Sequence, residues 1–126
     1  MPVLTQPPTL GDVLKFELNP NFNRETVTLL AGVSYPVGAV LGRITASGLY
    51  KLATSGGSDG AQTAAAVLLT AVDASAGDTP GVVIMRGPAI VSKSALVFDT
   101  TVDDAPKTAT KHGQLAALGI VPRDTA

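Results

Sequence analysis

The stretch GGSDG, Gly56 to Gly60, matches the G-x-S-x-G pattern with which many hydrolases hold a serine nucleophile on a sharp turn. Ser58 would be that nucleophile, and carboxylates and the only histidine, His112, follow it in the serine, acid, histidine order that such enzymes use. Two further groupings invite chemistry. Asp73 and Asp78 flank the turn in VDASAGDTPG, where paired carboxylates could do acid and base work. His112 could serve a metal if a ligand stood one helical turn away, but Thr108 and Ala116 occupy those positions and neither ligates. Gly57 and Gly60 lack the Lys-Ser/Thr pair of a phosphate loop.

The elements that must position these residues decide the matter. A nucleophile elbow needs a buried parallel strand entering the turn and a helix leaving it, within a sheet of alternating strands and helices. The surroundings here read as short β segments instead. Apolar alternation or apolar runs bounded by Gly, Pro, Asn and Ser predict strands over Thr26–Leu30, Val40–Thr45, Leu49–Ala53 and Ala66–Val72, and GVVIMRG with PAIVSKSALVF reads as a hairpin around Gly87-Pro88. The run Ala64 to Leu69 fits a buried strand or a buried helix by composition, and the flanking Gly-rich turns favour the strand. A single helix is predicted from about Ala105 to Leu118, with Asp103 and Asp104 as N-cap candidates, Pro106 in the first turn and Gly119 at the C-terminal end. His112 falls on its polar, exposed face. Ser58 therefore reads as part of a flexible hairpin loop in which Asp59-Gly60 makes the turn, Asp73 and Asp78 as surface-loop residues, and no enzyme is expected.

Composition narrows the remaining classes. A chain of 126 residues makes one domain, and its 45% apolar content with three Phe, two Tyr and no Trp predicts thin aliphatic layers. A net charge of −1 without a basic patch argues against nucleic acid as a partner. The absence of Cys excludes disulfides and thiolate metal sites, and no metal or cofactor is expected. MPVLTQPPTL lacks the features of a signal peptide, and no apolar run reaches the ~20 residues of a membrane span, so the chain reads as soluble and unexported.

Its start differs from the rest. Pro2, Pro7 and Pro8 disfavour helix and central strand, which suggests an extended arm over residues 1–24 ahead of a compact β-rich body over 25–126. Within the arm, VLKFEL alternates Leu14, Phe16 and Leu18 with Lys15 and Glu17, the pattern of a half-buried strand.

Taken together, GDVLKFELNPNFNRETVTL, VGAVLGRITASGLYKLA, DGAQTAAAVLLTAVDAS and the closing LGIVPR resemble the lambda-type head decoration proteins of tailed bacteriophages, over nearly the whole chain. The resemblance implies a mainly β, clip-like protomer with little helix. It further implies a homotrimer on the outer surface of the virion, at three-fold positions of the expanded head, cementing the major capsid protein against the pressure of packaged DNA. It assigns no chemistry to GGSDG. The relatively long N-terminal segment and the lack of Trp depart from the family picture.

The segment before Arg24 could span about 75 Å fully extended, enough to cross a neighbouring subunit. On one reading Val13, Leu14, Phe16 and Leu18 belong to a strand added to an edge of the capsid protein. On the other, VLKFEL is the first strand of the protomer's own sheet. A different class altogether, a trimeric β-rich module recognising glycan or a host surface, would need aromatic platforms, and Tyr35 and Tyr50 offer little of that. A small trimeric nucleotide hydrolase would need a carboxylate and tyrosine site that the sequence does not assemble.

Overall fold

The computed structural model describes residues 13–124, so the first half of the expected arm, residues 1–12, lies outside the described part. Ten strands and two helices follow in the order β1 (Leu14–Glu17), α1 (Pro20–Asn23), β2 (Arg24–Leu29), β3 (Ser34–Tyr35), β4 (Val40–Arg43), β5 (Tyr50–Leu52), β6 (Ala64–Leu68), β7 (Val72–Asp73), β8 (Thr79–Ile84), β9 (Ala89–Ser92), α2 (Ala105–Ala117) and β10 (Ile120–Arg123), with a 3-10 turn over Lys93–Ala95. The protein is mainly β with one substantial helix near its C-terminal end, as its sequence predicts.

Five strands close a barrel in the order β2-β5-β4-β6-β8. Its interior is filled by Leu29, Leu41, Ala66, Leu68 and Val83, with Tyr35 and Tyr50 at its margins. The neighbouring residues on the same strands, Val40, Val67 and Ile84, face the other way into a second core with Val13, Val91, Leu115 and Ile120. Strands β4, β6 and β8 are thus buried on both faces. That explains why Ala64–Leu69 reads as an unbroken apolar run without alternation, and why it is a strand.

The second core is covered by a three-stranded sheet, β1-β9-β10, and by α2. β1 runs antiparallel to β9 and β10 parallel to it. Helix α2 starts where Asp104 accepts a hydrogen bond from the Lys107 amide (3.0 Å), carries Pro106 in its first turn, and stops before Gly119 at φ +84°. Its Leu115 is fully buried, which contributes about 1.5–3 kcal/mol.

The hairpin expected around Gly87-Pro88 does not form. Both edges of β8 are taken, by β2 and β6, whereas β9 pairs with β1 and β10, so the cis Gly87-Pro88 link carries the chain from the barrel into the other sheet. Gly87 passes against the end of α2 so closely that a Cβ there would lie 1.9 Å from the Gly119 carbonyl oxygen. Gly87→Ala should therefore force the two segments apart and lower the unfolding free energy by about 1–3 kcal/mol, read as a fall in the urea midpoint; an unchanged midpoint would show that this contact is soft.

Candidate functional site

The residues singled out for catalysis are not brought together. Ser58 is exposed in the loop between β5 and β6, and none of the described hydrogen bonds joins it to a carboxylate or to His112. Its neighbour Asp59 is the structural residue of that loop. The Asp59 carboxylate accepts from the Ala61 amide (3.1 Å) and pairs with Lys51 (2.9 Å), while its carbonyl accepts from the Thr45 amide (2.8 Å). The Lys51 hydrogen bond, aided by the Ala61 amide, holds the Asp59 carboxyl below the usual carboxylate range. Gly60 takes φ +103°, and a Cβ on it would lie 2.3 Å from Thr45 Oγ1. The hydrogen-bonded turn falls just after Asp59, where the Thr63 amide donates to the Gly60 carbonyl (3.4 Å), and the expected hairpin does not form: β5 and β6 do not pair, since each flanks β4, and the loop is a crossover.

Asp73 and Asp78 also have separate duties. Asp73 accepts from the Ser75 hydroxyl (2.6 Å) and amide (3.0 Å), which holds its carboxyl low, and Asp78 accepts from the Ala31 amide (2.8 Å) across 47 residues of sequence. Asp103 pairs with Lys107 Nζ (2.8 Å) beside the Asp104 cap. Among the described residues no cluster of three His, Asp or Glu side chains could hold a metal.

His112 departs from the expectation of a solvated residue on a polar face. Its ring packs at a tilt against Phe98, with centroids 5.8 Å apart, and its Nε2 is buried with no hydrogen-bond partner. The adjacent Lys111 is buried too, its ammonium donating to the Gln62 carbonyl and to Gln114 Oε1, which in turn accepts from the Ala64 amide. Helix α2 therefore turns Lys111 inward, where with Gln114 it clasps β6 and the loop before it, and turns the His112 ring onto Phe98. The helical pattern of the sequence hides this because a Lys-His pair reads as solvent-facing.

What remains is a surface. The sheet β1-β9-β10 covers the core with one face, and among the described residues no element packs on the other. A bulge between Leu14 and Phe16 sets which side chains go where. Before it, Val13 is fully buried and Leu14 packs on the core; after it, Phe16 (48% exposed) and Leu18 (62%) point outward. The same slip turns Glu17 inward, where it makes a two-pronged pair with Arg24 (Nε 3.0 Å, Nη2 2.5 Å). Phe16 stands opposite Ile90, and Ile90 opposite Val121, so an apolar stripe crosses all three strands. Ile90 and Val121 were not foreseen as surface residues, although the alternation in GIVPR holds the signal for Val121. The sheet's outermost strands are β1 and β10, and β10 carries Pro122, which has no amide to donate.

The fold and this surface define a small, mainly β protein with an apolar stripe on one sheet, in which the aspartates singled out above serve turns, a helix cap and ion pairs. A family model, that of the bacteriophage lambda head decoration protein D, matches residues 3–120. The chain belongs to that family, which makes it a structural protein of the phage capsid, located on the head. A search among curated proteins found no individual match.

One pH dependence follows from His112. Burial, with the nearby Lys93 charge, pushes its pKa below the ordinary value of about 6.5, and Asp124 opposes this only in part. The folded state thus prefers neutral His112, and its contribution is complete above the unfolded pKa. It is lost as pH falls below that value, because the unfolded chain takes up a proton that the folded chain resists. The urea midpoint should drop between about pH 7 and pH 5.5, and His112→Leu should remove most of that drop. An equal drop in the variant would assign the effect to other groups.

Proposed function

We propose that this protein binds the outer surface of the expanded head as a homotrimer at three-fold positions and cements neighbouring copies of the major capsid protein against the pressure of packaged DNA. The observation that carries this reading is the outermost strand β1 with its outward-facing Phe16 and Leu18, in a chain of the head decoration family. In this reading the arm of residues 1–24 and β1 act together. Val13 and Leu14 anchor the strand to the protomer's own core, and Phe16 and Leu18 present apolar area to the capsid. The free side of β1 accepts an extended segment of the capsid protein by strand addition, main-chain hydrogen bonds giving affinity and the two side chains giving register. The pairing of β1 with β9 and its pairing with a capsid strand are compatible, since a strand has two edges.

Three such contacts on one trimer act as a multivalent clamp, so a modest affinity per protomer suffices to hold the shell. A three-fold ring also matches the symmetry of the site it occupies.

Co-sedimentation of the purified protein with expanded, undecorated heads tests the reading. Binding should saturate at about one copy per major capsid subunit, as trimers filling three-fold positions require. Phe16→Ser with Leu18→Ser should leave the circular dichroism and urea midpoint near those of the parent, because both side chains are exposed, and weaken head binding by about ten- to a hundred-fold. Undiminished binding by a folded double variant would remove β1 from the contact. Absence of binding by the parent would remove decoration of these heads as the function.

A further inference from the structure

The described residues hold a slot that the capsid-facing sheet does not use. It lies at the far end of β2, lined by Leu30, Val33, Tyr35 and Leu52 with Lys51, Thr54 and Asp99, and is half open to solvent, with a volume of about 140 Å³. An apolar cavity of about 150 Å³ accepts a single benzene ring, so the slot has the capacity for one phenyl side chain.

Of the three Phe in the chain, Phe98 is packed against the core, and Phe16 lies in the stripe across the sheet. Phe22 is the third. It stands on α1, 52% exposed, immediately before β2 begins. The Arg86 guanidinium sits 5.6 Å from its ring centroid, donates to the Phe22 carbonyl and pairs with Glu25 at 3.0 Å. Phe22 is therefore a ring held in a fixed orientation, flanked by one cation and one anion.

Knob and slot lie at opposite ends of the six-residue strand β2, ~20 Å apart, so a protomer cannot seat its own Phe22. Their charges complement each other: Arg86 and Glu25 around the knob would meet Asp99 and Lys51 around the slot. Lys51, on β5, pairs with Asp59, and Asp99 accepts from the amide and hydroxyl of Thr101; both are part-exposed, so each can also reach a partner in solvent.

We infer that Phe22 of one protomer inserts into the slot formed by Leu30, Val33, Tyr35 and Leu52 of a second copy. Such a contact joins two different patches, so it is head-to-tail, and a head-to-tail contact closes after three copies if its rotation is a third of a turn. The inference rests on the trimer of the proposed function and assigns the residues that build it.

Because the chain has no cysteine, engineered thiols test the contact directly. An Asn21→Cys, Val33→Cys double variant, which keeps the Phe22 ring and places a thiol on its exposed neighbour, should, mildly oxidised, give a covalent trimer on a non-reducing gel. An equimolar mixture of the two single variants should stop at the heterodimer. Phe22→Ala should raise the trimer dissociation constant at least tenfold in analytical ultracentrifugation while the monomer stays folded by circular dichroism. A trimeric parent whose double variant gives no cross-linking above the single-variant background, or whose Phe22→Ala form dissociates like the parent, overturns this interface and leaves the trimer standing. A parent that is monomeric over the whole concentration range overturns the trimer and the interface together.

Discussion

The structure depends on a wall that is buried twice. β4, β6 and β8 have the barrel interior on one side and the core beneath the three-stranded sheet on the other, so along their buried stretches both faces are apolar, and polar residues such as Arg43 and Thr79 stand at the strand ends. A five-stranded barrel is also narrow, and small Ala66 packs in its interior among Leu29, Leu41 and Leu68. Val40, Val67 and Ile84 then do for the outer core what Leu41, Leu68 and Val83 do for the inner one. One set of strands thus holds two layers together, an economical arrangement in a chain too short for two separate cores.

That wall decides what the surface can be. Among the described residues the sheet β1-β9-β10 has one partner layer, so one of its faces packs and the other carries no further element. The bulge in β1 then divides a uniformly alternating segment, turning Leu14 inward and Phe16 outward. A slip of one residue exchanges the faces of a strand, and here it converts what would have been a buried apolar row into an exposed stripe with Ile90 and Val121. Exposed apolar area of this kind is a liability in a solitary protein and an asset in a component of a phage capsid.

The polar chemistry of the chain is absorbed by the demands of its loops. Short strands need many turns, and each turn leaves backbone amides in search of acceptors. Asp59, Asp73, Asp78, Asp99 and Asp104 each supply one. Lys111 and Gln114 do the corresponding work for the carbonyl and amide at the start of β6. Residue types that suggest catalysis in a linear reading are the same types that end strands and cap helices, so a β-rich fold with abundant turns produces such coincidences freely.

Taken alone, the sequence determined the longer strands β2, β4, β5, β6 and β8, where α2 begins and ends, and that GGSDG lies in a loop; the short β3 and β7 and the closing β10 escaped it, and it ran β6 on to Val72 where the structure has a break. These follow from local rules: apolar runs bounded by breakers, an Asp cap, a glycine at positive φ. It also determined family membership, through the order of its segments. Only the tertiary structure decided that β8 and β9 separate into different sheets, that Lys111 points inward and the His112 ring turns onto Phe98, and that Val13 and Leu14 part company with Phe16 and Leu18. Each of these depends on a partner distant in the chain: β2 and β6 occupying both edges of β8, Phe98 meeting the His112 ring, and Val91 and Ile90 fixing the register on either side of a bulge. A periodic pattern specifies two faces of a strand. Which face meets the core depends on pairing register, a long-range property that the pattern leaves open.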